Sequence, residues 1–94
     1  MDPERTEVRV LLRRVPFAGA RVLEIGCGTG RLTRRIAGVS RSVTAIDHEE
    51  ASIETAKRRQ PASLRRKVRF EVRSGTALAY PAGTFDVVLL AWSL

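Results

Sequence analysis

The segment that most constrains the fold is Val-Leu-Glu-Ile-Gly-Cys-Gly-Thr-Gly, residues 22–30. Its apolar first half predicts a buried strand, which ends in an acidic residue and runs into three glycines at alternate positions. Glycines at this spacing let a strand turn sharply into a helix, and they leave bare backbone near the helix N-terminus for a ligand to lie against. The segment therefore predicts a strand–loop–helix unit that binds a nucleotide-like cofactor. The alternative is a glycine-rich turn that only joins the two elements.

The spacing of the glycines narrows the choice of cofactor. Dinucleotide-binding proteins place a third glycine three positions after the second, in the pattern Gly-x-Gly-x-x-Gly. In this chain that position is Arg31 when the count starts at Gly26 and Gly28, and Thr33 when it starts at Gly28 and Gly30. A Gly-x-x-x-x-Gly-Lys phosphate loop is also absent from the sequence. The spacing argues against an NAD-dependent oxidoreductase, which stays a less favoured alternative.

The stretch from Glu24 to Gly30 closely resembles the first motif, Glu-x-Gly-x-Gly-x-Gly, of class I S-adenosylmethionine-dependent methyltransferases. The resemblance implies S-adenosyl-L-methionine as cofactor and transfer of its methyl group to an acceptor. It also implies that Gly26, Gly28 and Gly30 carry the methionine part of the cofactor, with Cys27 filling the turn, and that Glu24 helps to hold the methionine amino group. None of these residues is a catalytic base, and the catalytic residues stay unknown at this stage.

The next predicted strand carries the second part of the resemblance. Residues 42–46 are a short run with β-branched residues, and Asp47 follows Gly28 at the interval expected for a strand–helix–strand unit. The resemblance implies that Asp47 accepts hydrogen bonds from both ribose hydroxyls and that His48 packs against the adenine. The alternatives are a helix N-cap for Asp47 and an exposed polar residue for His48.

A third part of the resemblance departs from the family pattern. After a predicted strand over residues 67–72, the family typically has an Asp that accepts a hydrogen bond from the adenine amino group, and Ser74 stands at that position. A hydroxyl can accept the same bond without charge, so the backbone amides of Gly75 and Thr76 would take a larger share of adenine recognition. The alternative is a polar loop.

The apolar run over residues 87–90 has no alternation, which predicts a strand covered on both faces in the middle of a parallel sheet. Asp86 is expected to have a structural role where this strand begins. Ala91 and Trp92 would fall at the carboxyl end of the strand, where ligands bind in open α/β sheets. We expect Ala91 to contact the cofactor and Trp92 to pack in the core or a lid.

Helical and strand patterns alternate along the chain, beginning with an amphipathic helix predicted over residues 4–15. They predict one domain over residues 1–94, an α/β fold with a Rossmann-like doubly wound parallel sheet in three αβα layers. Ninety-four residues are about half of the roughly 150–250 that a full fold of this kind usually needs, and the family continues with further strands, so we expect the sheet of this chain to stop after about the fourth strand. We therefore expect the cofactor-binding half of a methyltransferase domain, a truncated reading frame or a fragment, inactive by itself and open to self-association along the exposed sheet edge.

The net charge of +7 makes nucleic acid a candidate partner. The basic runs at residues 34–35, 57–59 and 65–67 are not interleaved with aromatic residues, so we favour solvated surfaces and a small-molecule acceptor over a basic nucleic-acid-binding protein. A non-catalytic nucleotide-binding module is the other alternative. One cysteine and one histidine argue against a disulfide framework and a metal site. No apolar stretch reaches the length of a membrane span, and we expect a cytoplasmic protein without a membrane partner.

Overall fold

The computed structural model describes residues 16–74 and 80–90. The predicted N-terminal helix, and the predicted contacts of Gly75, Thr76, Ala91 and Trp92, lie outside these residues. Four strands, two α-helices and one short 3-10 helix follow one another in the order β1 (Arg21–Ile25), α1 (Arg31–Ala37), β2 (Ser42–Asp47), α2 (Glu50–Arg59), a 3-10 turn (Ala62–Leu64), β3 (Val68–Val72) and β4 (Val87–Leu90).

The four strands form one parallel sheet in the order β3-β2-β1-β4. In its register Glu24 lies beside Ala45, and Asp47 lies beside Val72. This arrangement confirms the predicted Rossmann-like α/β fold. Because the strands are parallel, all their carboxyl ends meet at one edge, and the loops that follow β1 and β2 are neighbours there.

Alternate residues of each strand face opposite sides of the sheet. On one side, Val22 and Val43 pack with Ile36 of α1 and Ile53 of α2 in the larger core cluster. On the other side, a smaller cluster joins buried Leu23, Ile25 and Ile46 to the partly buried rings of Tyr80 and Phe85. The two described helices therefore cover one face of the sheet and anchor the loops at its carboxyl edge.

The prediction of a central position for β4 is wrong for the described residues. β4 pairs with β1 and ends the sheet order, and its Val88 and Leu90 side chains are 51% and 59% exposed. Its unbroken apolar run reflects burial of Leu89 on the helix-covered face alone. Among the described residues, β4 is thus an edge strand with apolar side chains exposed on one face.

Asp86 has the structural role expected of it. Its Oδ2 accepts hydrogen bonds from the backbone N–H of Arg21 at 2.8 Å and from Nε of the same residue at 3.2 Å, and its Oδ1 accepts one from Nη2 at 3.0 Å. These bonds lower the pKa of Asp86 to about 2. They fix the start of β4 against the start of β1. No helix in the described part of the chain has the length and apolarity needed to cross a membrane.

Candidate functional site

The loop between β1 and α1 is built on three glycines with positive φ angles. Gly26, Gly28 and Gly30 have φ of 83°, 56° and 84°, a region that residues with a Cβ rarely adopt. The backbone N–H groups of Gly26 and Cys27 both donate to the carbonyl oxygen of Ile46, at 2.8 and 3.0 Å. The loop is therefore tied to the end of β2 as well as to its own strand.

Two of these glycines serve different purposes. A Cβ at Gly28 would meet no atom within 4 Å, so the backbone there borders open space. A Cβ at Gly30 would lie 3.1 Å from Nη1 of Arg34, 3.3 Å from Cζ of Phe70 and 3.4 Å from Cβ of Ala56. Gly28 leaves the surface of the loop bare, whereas Gly30 lets the start of α1 pack closely against its neighbours.

Asp47, the last residue of β2, holds the loop through its carboxylate. Its Oδ2 accepts a hydrogen bond from the backbone N–H of Gly28 at 2.9 Å, and its Oδ1 accepts one from the N–H of Glu49 at 2.9 Å. The helix N-cap of α2 is Glu49, so the alternative role of Asp47 as that cap is not what the structure shows. The Asp47 side chain is 11% exposed, and each oxygen keeps a lone pair for a further donor.

Glu24 lies near the carboxyl end of β1 with no exposed surface. The hydroxyl of Thr33 in α1 donates a hydrogen bond to its Oε1, and its Oε2 has no hydrogen-bond partner. Burial raises the pKa of Glu24 to about 7, and the bond from Thr33 offsets part of that shift. A buried carboxylate oxygen without a donor costs free energy until a donor reaches it.

Cys27 is buried inside the loop, and its thiol donates to the carbonyl oxygen of Gly28 at 3.7 Å. Burial and the negative charges of Glu24 and Asp47 raise the pKa of Cys27 to about 12. The thiol is therefore protonated at neutral pH and is a poor nucleophile.

The remaining predicted residues lie further out. The side chain of His48 is 80% exposed, and its Nδ1 is 3.6 Å from Oδ1 of Asp47. Ser74 is exposed two residues after the end of β3, at the same sheet edge as Asp47. The structure thus brings Glu24, the glycine loop and Asp47 together and places His48 and Ser74 at the rim of the site.

The sequence analysis missed two residues that support the site. Thr33 holds Glu24, and Arg34 donates from Nη1 to the carbonyl oxygen of Thr29 in the loop at 2.9 Å. A signal for Thr33 was present, because it precedes Ile36 by three residues on the apolar stripe of α1. A polar residue on such a stripe needs a buried partner, and Glu24 is the nearest carboxylate in the sequence.

Residues 22–94 match the family model described as methyltransferase domain. The chain is 42% identical over 88 residues to magnesium-protoporphyrin O-methyltransferase of Rhodobacter capsulatus, covering 90% of this chain and 38% of that protein. It is 42% identical over 79 residues to ubiquinone biosynthesis O-methyltransferase of Caulobacter sp. strain K31, covering 81% of this chain and 30% of the relative.

Among solved structures, the chain resembles phosphoethanolamine N-methyltransferase 1 of Haemonchus contortus in complex with phosphoethanolamine and S-adenosylhomocysteine. The TM-score is 0.76 at 26% identity, over 96% of this chain and 19% of that chain. This chain therefore spans between 19% and 38% of the length of the relatives described above.

Proposed function

This chain belongs to the methyltransferase domain family, whose cofactor is S-adenosylmethionine, and on that premise we propose that its glycine loop binds this cofactor. The observation that carries the proposal is the position of two carboxylates on either side of the loop. Glu24 and Asp47 lie at the carboxyl ends of neighbouring parallel strands, the charges of both act on Cys27 of the loop, and the open backbone at Gly28 donates to Asp47.

The residues of the site fit the chemical groups of the cofactor. The unpartnered Oε2 of Glu24 is suited to accept a hydrogen bond from an ammonium group, directly or through water. The free lone pairs of Asp47 are suited to the two hydroxyls of a ribose, and the bare backbone at Gly28 leaves room for the ligand chain. His48 and Ser74, at the rim, are the residues we assign to the adenine.

The cofactor supplies a methyl group on a positively charged sulfur, and the protein contributes alignment. Asp47 holds the loop through the Gly28 amide, which fixes the glycine backbone against the end of β2. The hydroxyl of Thr33 in α1 holds the Glu24 side chain in a single orientation by donating to its Oε1. The chain's residues therefore orient the ligand, and none of them takes a proton in this proposal.

We assign the acceptor of the whole protein to small molecules and the transfer to an oxygen atom. The support is that both curated relatives are named as O-methyltransferases, one of magnesium protoporphyrin and one of ubiquinone biosynthesis. The 94 residues supply the cofactor-binding half and do not turn over alone. Near the loop, among the described residues, Cys27 stays protonated and is therefore not available as a general base.

The first test is calorimetric titration of the chain with S-adenosylhomocysteine and, in parallel, with NAD. Asp47→Ala is the test variant, and Glu49→Ala is the matched control because it removes a neighbouring negative charge from an exposed position. Hydrogen bonds to a charged group contribute about 1.5–3 kcal/mol each, so we expect Asp47→Ala to weaken S-adenosylhomocysteine binding by about tenfold or more. Glu49→Ala should bind nearly as well as the unchanged chain.

Preferential binding of NAD would refute the methyltransferase assignment. A folded chain that binds neither ligand would refute the claim that these residues carry the site. For turnover, we expect S-adenosylmethionine and magnesium protoporphyrin incubated with the chain to release no S-adenosylhomocysteine above the blank. Release above the blank would refute the proposal that the chain is inactive by itself.

A further inference from the structure

Many of the described basic residues lie at the edge of the sheet opposite the glycine loop. In a parallel sheet the strands begin at that edge, and each connecting helix ends there. Seven exposed basic side chains lie at strand starts, helix ends or the turn between α2 and β3, and we call them the basic edge: Arg35, Arg41, Lys57, Arg58, Arg59, Arg65 and Arg66.

Backbone contacts show that these segments are neighbours. The N–H of Arg41 donates to the carbonyl oxygen of Ala20 at 2.8 Å, and the N–H of Val43 donates to that of Lys67 at 2.8 Å. The side chain of Lys67 then reaches the end of α1, where Nζ lies 3.2 Å from the carbonyl oxygens of Ala37 and Gly38. The beginnings of three strands and the end of α1 therefore form one continuous surface.

The charge of the basic edge is not balanced locally. Within the described residues, no carboxylate lies within 4 Å of any of its seven side chains. The one described acidic residue at this edge is Asp86, which Arg21 binds through both oxygens and on which the charge of Arg41 also acts, so it offsets only a small part of the charge. Glu24, Asp47 and Glu71 all lie toward the opposite edge. Described carboxylates are thus more frequent toward the glycine-loop edge, where Arg31, Arg34 and Arg73 also lie, and the basic edge carries the larger excess of positive charge.

Helix ends explain only part of this distribution. Basic residues are favoured in the last turn of a helix, which accounts for Arg35 and for the three basic residues that end α2. Arg41, Arg65 and Arg66 lie in loops and turns, where that preference does not act. The exposed basic cluster is therefore larger than the preference for basic residues at helix ends explains. Such a cluster points to a ligand with many negative charges.

We propose that the basic edge binds the phosphate backbone of double-stranded nucleic acid without sequence preference. Six of its seven side chains are arginine, whose planar guanidinium makes paired hydrogen bonds to phosphate oxygens. In the described part of this edge the aromatic residue is Phe17, and its ring is only 2% exposed. The described residues of the edge therefore offer no exposed aromatic ring on which single-stranded bases could stack. Direct contact with bases is not required, because phosphate contacts alone supply affinity.

A membrane surface fits these residues less well. Surface-bound segments combine basic side chains with apolar residues that enter the lipid. Of the exposed large apolar residues in the described structure, only Val39 lies at the basic edge, whereas Val72, Val88 and Leu90 lie elsewhere. The proposal does not depend on the cofactor site, and the bound duplex is not the methyl acceptor.

The test is fluorescence anisotropy of a labelled DNA duplex of about two helical turns, titrated with the full chain at several salt concentrations. Engagement of all seven cations would give a slope of log K against log salt of about −6, and Arg65→Gln/Arg66→Gln should reduce its magnitude by about two. Arg69→Gln/Arg73→Gln is the control, because it removes the same formal charge outside the basic edge, at two arginines that pair with Glu71. Circular dichroism verifies that both variants are folded.

We expect the basic-edge variant to bind the duplex about tenfold or more weakly than the control variant. We also expect saturating S-adenosylhomocysteine and the Asp47→Ala substitution to leave duplex binding unchanged, so failure of the cofactor proposal and failure of this one give different results. Equal weakening by both double variants would overturn the proposal, because net charge alone would then explain binding. Tighter binding to phosphatidylserine vesicles than to the duplex, or no duplex binding at about 50 mM salt, would also overturn it.

Discussion

The buried carboxyl of Glu24 should make the stability of the free chain depend on pH. Its pKa is raised from 4.5 to about 7, because burial penalises the charged form. Between these two pH values the unfolded chain has lost the proton that the folded chain still holds. Rising pH therefore favours the unfolded state across this interval, and the stability that is present below about pH 4.5 is lost as pH rises to about 7.

The size of this effect follows from the shift. A difference of about 2.5 pKa units corresponds to about 3 kcal/mol of unfolding free energy. Because the side chain has no exposed surface, solvent does not screen this penalty. For a domain whose total stability is about 5–15 kcal/mol, such a loss is large.

Glu24→Gln removes the titration and keeps the volume of the side chain, together with an oxygen that accepts the bond from Thr33. We expect the difference in unfolding free energy between the unchanged chain and Glu24→Gln to move by about 3 kcal/mol between pH 4.5 and pH 8, in favour of the variant at high pH. Urea unfolding followed by circular dichroism measures both curves, and Glu49→Gln, an exposed carboxyl beside the same site, is the control.

A difference that stays constant across that pH range would refute the reasoning. It would mean that Oε2 of Glu24 has a donor in solution or that water reaches it. The opposite sign, with the unchanged chain gaining stability as pH rises, would mean that the carboxylate is stabilised in its charged form and that burial is not the dominant cause of its behaviour.

The remaining predictions concern the loop and the open edge. Gly30→Ala should destabilise the chain by at least about 1 kcal/mol more than Gly83→Ala. Both glycines have φ above 80°, but of the two only Gly30 has neighbours that a Cβ would press against. Equal midpoints of urea unfolding for the two variants would contradict this prediction. We also expect the unchanged chain to associate as its concentration rises in sedimentation velocity and Val88→Lys to stay monomeric, because a charge on an apolar edge strand blocks pairing. Val39→Lys, equally exposed but away from that edge, is the control, and the same loss of association in it would count against the edge.

Much of the site could be predicted because its parts are local in sequence. The apolar run, the acidic residue and the three glycines of residues 22–30 fix a strand, a turn and a helix start within nine positions. The position of Asp47 beside this loop required only the strand–helix–strand topology, in which the ends of β1 and β2 are adjacent. Both the family and the parallel sheet were confirmed for this reason.

What the sequence did not reveal depends on orientation or on distant segments. The bond between Thr33 and Glu24 depends on how α1 is rotated about its axis relative to β1. The spacing of residues in the sequence does not determine that rotation. The burial of β4 depends on what covers each of its faces, so its four apolar residues gave a wrong prediction. The partner of Arg21 is likewise 65 positions away, and no local pattern connects the two residues.

The topology that builds the proposed cofactor site also builds the basic edge. Parallel strands place the residues that follow them, such as Asp47, at one edge of the sheet, and they place the residues that precede them, such as Arg41 and Arg66, at the other. Runs that sequence analysis treated as separate solvated surfaces therefore become one surface once the chain folds. Because the sheet separates the two edges, substitutions at one can be tested for binding without altering the other, and each proposed ligand has its own set of residues.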